Sequence, residues 1–115
     1  VSCMSQMPQV VEQCHQCLLW FIPAIDKLPK SRRFTLGEKL ENAMLEVLAL
    51  TTEASYQKYK LPLLQQANQK LAIARHLWRL CYELKLVDKR RYIFGSEMVV
   101  GIGRQIGGWK KQCNK

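Results

Sequence analysis

The stretch Leu61–Val87, LPLLQQANQKLAIARHLWRLCYELKLV, decides the fold. On a helical wheel Leu64, Ala67, Leu71, Ala74, Trp78 and Cys81 form one apolar row, and Ile73, Leu77, Leu80, Leu84 and Val87 form a second beside it. Together the rows cover an arc of roughly 220°, well beyond the stripe of about 100° that an ordinary surface helix buries. The narrow remaining strip holds Gln65, Asn68, Gln69, Arg75, His76, Arg79 and Glu83. A helix apolar over more than half its circumference has more to pack against than one bundle core. The pattern predicts a bundle helix that also meets another subunit, with a basic strip left for a partner.

Working outward, the same period recurs. Val11, Cys14, Leu18, Phe21, Ile25 and Leu28 alternate spacings of three and four, which predicts a helix over 10–28 after a loose lead-in at 2–9. Pro23 inside it predicts a kink or one lost hydrogen bond. Leu28-Pro-Lys-Ser31 breaks the pattern, with Ser31 as the expected N-cap of a helix over 32–56. There Leu36, Leu40, Ala43, Val47, Leu50 and Ala54 face inward, while Glu38, Glu41, Glu46 and Glu53 make an acidic outer face unsuited to phosphate. Pro62 fits the first turn of a third helix over 62–87, where its missing N–H costs nothing. Asp88 is the expected N-cap of a fourth helix over 89–112, whose inner row is Tyr92, Gly95, Val99, Ile102, Ile106 and Trp109. Each internal glycine of this helix costs roughly 1 kcal/mol against alanine. Close approach of another backbone is expected at Gly95, and fraying at Gly107 and Gly108. No segment alternates with period two. The fold class is all-α, a single up-down-up-down four-helix bundle over residues 1–115.

Charge narrows the function. Eighteen Lys and Arg against nine Asp and Glu leave a net charge of +9 in 115 residues. A surplus of that sign attracts polyanions. Nucleic acid, an acidic protein partner and a plain solvated basic face all fit it, and an anionic membrane surface fits less well. The longest apolar run, Cys17–Ile25, contains Pro23 and is too short to span a bilayer. The first residues do not read as a secretory signal. The five cysteines include three, Cys14, Cys17 and Cys81, inside apolar helical rows. This suits small hydrophobes in a reducing cytosol better than a disulfide framework.

Enzymatic chemistry finds little support. Cys14-His-Gln-Cys17 has no second ligand pair, which structural zinc needs. Gly101-Ile-Gly-Arg-Gln-Ile-Gly107 follows no strand and lies within a helical repeat, unlike a phosphate loop. Neither histidine, His15 or His76, stands beside a plausible nucleophile. No metal, cofactor or catalytic residue is expected. The candidate binding residues are Arg75 and Arg79, at i, i+4 on the third helix, and Arg104 and Lys111 on the outer face of the fourth, with Arg90 near its start. Two like charges one turn apart repel by a few tenths of a kcal/mol, about the size of an exposed ion pair, so an anion over them would relieve the repulsion.

Several dispersed motifs add up to a family resemblance. They are Leu28-Pro-Lys-Ser-Arg-Arg-Phe-Thr-Leu-Gly-Glu-Lys-Leu40, Glu53-Ala-Ser-Tyr56, Leu80-Cys-Tyr-Glu-Leu-Lys-Leu86 with Arg91-Tyr92, and Ile102-Gly-Arg-Gln-Ile-Gly-Gly-Trp-Lys110. The chain resembles the accessory variability determinant (Avd) family of diversity-generating retroelements, small proteins akin to those of ribosomal-RNA intervening sequences. Where the intervening-sequence branch carries a Ser-Ile-Pro-x-Asn-Ile-Ala-Glu-Gly-like stretch, this chain has Leu45-Glu-Val-Leu-Ala-Leu-Thr-Thr-Glu53, which favours the retroelement branch. The resemblance implies a bundle assembled as a barrel-like homopentamer with a basic surface, bacterial or phage-encoded and cytoplasmic. It also implies association with a reverse transcriptase and template RNA in mutagenic copying, with catalysis left to the transcriptase. The alternatives are a protein-interaction module without physiological RNA binding, and an rRNA-associated protein of the intervening-sequence type.

Overall fold

The computed structural model describes residues 2–113, with side chains from residue 9 onward. The elements are α1 (Ser2–Asp26), a short α2 (Lys30–Arg32), a π-helical turn (Arg33–Gly37), α3 (Glu38–Tyr56), α4 (Leu61–Glu83) and α5 (Lys89–Cys113). The four long helices, α1, α3, α4 and α5, run up and down, each packed on its neighbour in the chain, and α5 closes the square against α1. The bundle measures 45 × 23 × 20 Å. No strand occurs among the described residues.

The first α4 row is the centre of the core. Leu64, Ala67, Leu71, Ala74, Trp78 and Cys81 are all buried. They meet Leu40, Ala43, Met44, Val47, Thr51 and Ala54 of α3 and Gly95, Val99, Ile102, Ile106 and Trp109 of α5. From α1 come Val10, Cys14, Cys17, Leu18, Phe21 and Ile25. Thr51 is the one polar residue buried in this core among the described residues. Its hydroxyl is satisfied within its own helix, donating to Val47 O at 2.9 Å. The second α4 row behaves differently: Ile73, Leu80 and Leu84 stay exposed, while Leu77 is half-buried against the core and Val87, beyond the helix end, is buried. That row continues from Lys70, which bridges to Glu46 of α3 at 3.0 Å, so it flanks the outside of the α3–α4 seam.

Several boundaries differ from the sequence reading, each for a local reason. Helix α1 starts at Ser2, taking in the stretch expected as a lead-in, and continues through Pro23 to Asp26. Ser31 is not a cap; the position before the short α2 is Pro29, which makes no side-chain cap. The chain enters α3 through the π turn, where Gly37 lies so close to α1 that a Cβ would sit 2.9 Å from Ile25 Cγ2. Helix α4 stops at Glu83 rather than running to Val87. Leu86 N donates to Cys81 O at 2.8 Å and Lys85 N to Tyr82 O at 2.9 Å, with Lys85 at φ 64. This is a Schellman C-cap closed by a lysine where glycine is usual. Asp88 caps α5 as expected, its Oδ1 accepting from Arg91 N at 2.8 Å. The helix then continues unbroken past Gly107 and Gly108, where fraying was expected.

Gly95 marks a close approach, but of rings rather than of backbone. A Cβ there would stand 2.8 Å from both Phe21 Cζ and Trp78 Nε1. Phe21 and Trp78 meet edge to face at 4.7 Å between centroids. Trp78 Nε1 donates to Tyr92 O at 3.0 Å, tying α4 to the first turn of α5. This aromatic knot fixes the spacing of α4 and α5 where the basic residues of α4 emerge.

Candidate nucleic-acid interface

Arg75 and Arg79 lie one turn apart on α4 and open onto the groove between α4 and α5. The groove encloses ≈ 350 Å³, with His76 of α4 and Tyr92, Ser96, Val99 and Val100 of α5 on its walls and Trp78 at its base. Stacked rings flank it. Tyr82 and Tyr92 lie face to face, 4.4 Å apart and 10° from parallel, and Tyr92 stacks in turn toward Trp78. The groove therefore presents two guanidinium groups, an imidazole and a serine above an aromatic base.

The two arginines are not equivalent. Arg79 Nε donates to Glu83 Oε2 at 2.8 Å along the helix surface, with both side chains more than half exposed. That carboxylate raises the Arg79 pKa further above its ordinary value, and in water such a pair contributes little to stability. The repulsion between Arg75 and Arg79 is thus already offset within the chain, and it does not by itself call for an external anion. Arg75 forms no ion pair among the described residues and is the freer cation of the two.

A family model described as bAvd-like matches residues 9–113. The chain belongs to the bAvd-like family. No curated protein and no solved structure matches it.

The other candidate residues of this bAvd-like chain are dispersed. Arg104 and Lys111 are exposed on α5 but do not line the α4–α5 groove. Arg90 lines a different depression on the far side of α5, with Trp20, Asp88, Arg91 and Phe94. At ~1.5 Å rise per residue, Arg90 and Lys111 lie about 31 Å apart along the helix. The five residues therefore make a groove pair and three outposts rather than one cluster.

What the sequence reading missed is an end of the bundle. Up-and-down topology brings the α1–α3 connection and the α4–α5 turn to the same end, as the contacts of Trp20 and Phe21 with Trp78 require. Lys27, Lys30, Arg32 and Arg33 from the first connection thereby join Lys85, Lys89, Arg90 and Arg91 from the second. The signal was present as charge flanking both connections, but it becomes a patch only once the helices are paired. Cys14 and Cys17, the one metal-like spacing, are wholly inside the core. Burial raises the Cys14 thiol to about 11, and burial with the neighbouring Cys14 raises Cys17 to about 12. Both are neutral packing groups at ordinary pH.

Proposed function

We propose that this bAvd-like protein is a non-catalytic accessory of a diversity-generating retroelement, binding template RNA and reverse transcriptase through its basic surfaces. The observation that carries the reading is the Arg75–His76–Arg79 groove continuing toward a bundle end rich in Lys and Arg. On a chain of charge +9, such a surface gains affinity for phosphates by releasing condensed counterions. Family membership supplies the setting, and the chemistry of copying falls to the transcriptase. Reversing charge at Arg75, Arg79 and Arg104 together should weaken RNA binding severalfold and flatten its salt dependence, measured by anisotropy of a labelled RNA. Unchanged affinity and slope would refute the assignment of these residues.

A homo-oligomeric ring, pentameric as the family resemblance implies, is part of the same proposal. Ile73, Leu80 and Leu84 stand exposed beside the α3–α4 seam. Exposed Phe94 packs on Trp20 at the opposite α1–α5 seam, 5.1 Å between centroids. Two different apolar patches on opposite sides favour a head-to-tail contact, the type that generates rings when its rotation closes, over a two-fold dimer. Leu80→Glu should shift sedimentation toward monomer at micromolar concentration. A wild type that sediments as a monomer would overturn the ring.

A further inference from the structure

The end of the bundle opposite the basic cap carries an unassigned pair of aromatic side chains. Tyr56 closes α3 and is 82% exposed; Tyr59, in the loop to α4, is 80% exposed. They are the two most exposed of the large hydrophobic side chains among the described residues, and exposed apolar surface that is grouped rather than scattered is the kind that serves contacts. They are not the residue of a loose loop. Lys60 Nζ donates to Ala54 O at 2.8 Å and to Gln57 O at 2.7 Å, which ties the loop to the last carbonyls of α3. Lys60 also rests over the Trp109 ring, 5.9 Å from its centroid. The loop is thus pinned from below, while Tyr59 within it and Tyr56 just before it stay open to solvent. Tyr59, Lys58 and Lys60 line a groove of ≈ 570 Å³ that runs to Trp109 and Gln112 at the end of α5. Lys58 makes no ion pair among the described residues.

Exposed rings interleaved with lysines, Tyr56-Gln-Lys-Tyr-Lys60, combine the two elements that grip single strands: a π-face for each base and cations for the backbone. A duplex keeps its bases stacked inside and offers such rings nothing. We propose that Tyr56 and Tyr59 form a base-stacking ledge for single-stranded nucleic acid, with Lys58 holding the adjoining phosphate. Three residues of chain place their Cα atoms at most about 11 Å apart, close enough to serve neighbouring bases. The inference rests on the nucleic-acid reading above and deepens it. The groove arginines then supply charge at one region of the bundle, and the ledge discriminates single from double strands at the other.

The test compares strands that differ only in their bases. Wild type, Tyr56→Ala/Tyr59→Ala and Tyr56→Phe/Tyr59→Phe are titrated against a labelled oligouridylate, an abasic strand of equal length and a duplex. Side chains this exposed can be truncated without unfolding the bundle, and a thermal melt verifies it. The expected result is about tenfold weaker binding of the oligouridylate by the alanine variant. The phenylalanine variant should restore it, and the abasic strand and duplex should bind alike in all three proteins. Equal binding of oligouridylate by all variants, or equal losses on base-bearing and abasic strands, would overturn the ledge while leaving the basic groove standing. A wild type that binds none of the three would remove the nucleic-acid reading itself. Alanine variants that bind oligouridylate normally but sediment as smaller species would assign the tyrosines to a subunit contact and overturn the ledge.

Discussion

Gly95→Ala tests the packing account, because one methyl group sets two effects of opposite sign against each other. The new Cβ would lie 2.8 Å from Phe21 Cζ and Trp78 Nε1, and 2.9 Å from Trp78 Cε2. Neither ring has room to retreat. Phe21 and Trp78 are 0% and 1% exposed, and Trp78 is held by its hydrogen bond to Tyr92 O. Overpacking of this kind costs about 1–3 kcal/mol, and displacing Trp78 forfeits a further ~1 kcal/mol of hydrogen bonding. Better helix propensity offsets about 1 kcal/mol, leaving a net loss of about 1–3 kcal/mol. For 115 residues, the usual unfolding entropy of about 2.1 cal/mol/K per residue converts each kcal/mol into ~4 °C. Tm should fall by about 4–12 °C in a thermal melt at fixed protomer concentration. Gly107→Ala is the control: nothing lies within 4 Å of its added Cβ, so propensity alone acts and Tm should rise by about 4 °C. A Gly95→Ala protein that melts at or above wild type would refute the reasoning.

Two further outcomes follow from local geometry. Lys85 holds φ 64 at the α4 C-cap, so Lys85→Gly should stabilise the fold by up to about 1 kcal/mol in denaturant titration, despite the loss of a charge. Cys14 and Cys17 have folded pKa values of about 11 and about 12, raised from 9.0. Folding favours their neutral forms, so this stabilisation is complete below pH 9.0 and fades as pH rises toward about 12. Cys14→Ala/Cys17→Ala should be less stable at neutral pH and show a shallower stability loss across that alkaline range.

Much of the fold was legible because helical period is a local property. The α4 row from Leu64 to Cys81, the Asp88 cap and the glycine pressed against the core at Gly95 were all readable from spacing and residue type. Boundaries were less so. Val87 continues the apolar period of α4, yet the chain has already turned at Lys85; a lysine in a left-handed cap leaves no signature in composition. The π turn at Arg33–Gly37 was equally silent, and so was the close approach of its Gly37 to Ile25 of α1, a tertiary contact. The candidate site divides along the same line. Arg75 and Arg79 share a helix and were found together, whereas the pairing of Lys27–Arg33 with Lys85–Arg91 depends on tertiary topology. Arg90, Arg104 and Lys111 share an outer face, but the structure spreads them along the length of α5. Glu83, the carboxylate that neutralises Arg79, was in plain view at i+4.

The central claim, that the basic surface engages RNA phosphates, is tested most directly by the salt dependence of the wild-type protein. Single strands give a slope of log K against log salt of about −0.7 per neutralised phosphate. Engagement of three or more phosphates by the groove and the basic end predicts a slope of about −2 or steeper. A slope near zero, or binding of a labelled single-stranded RNA too weak to saturate at low salt, would contradict it.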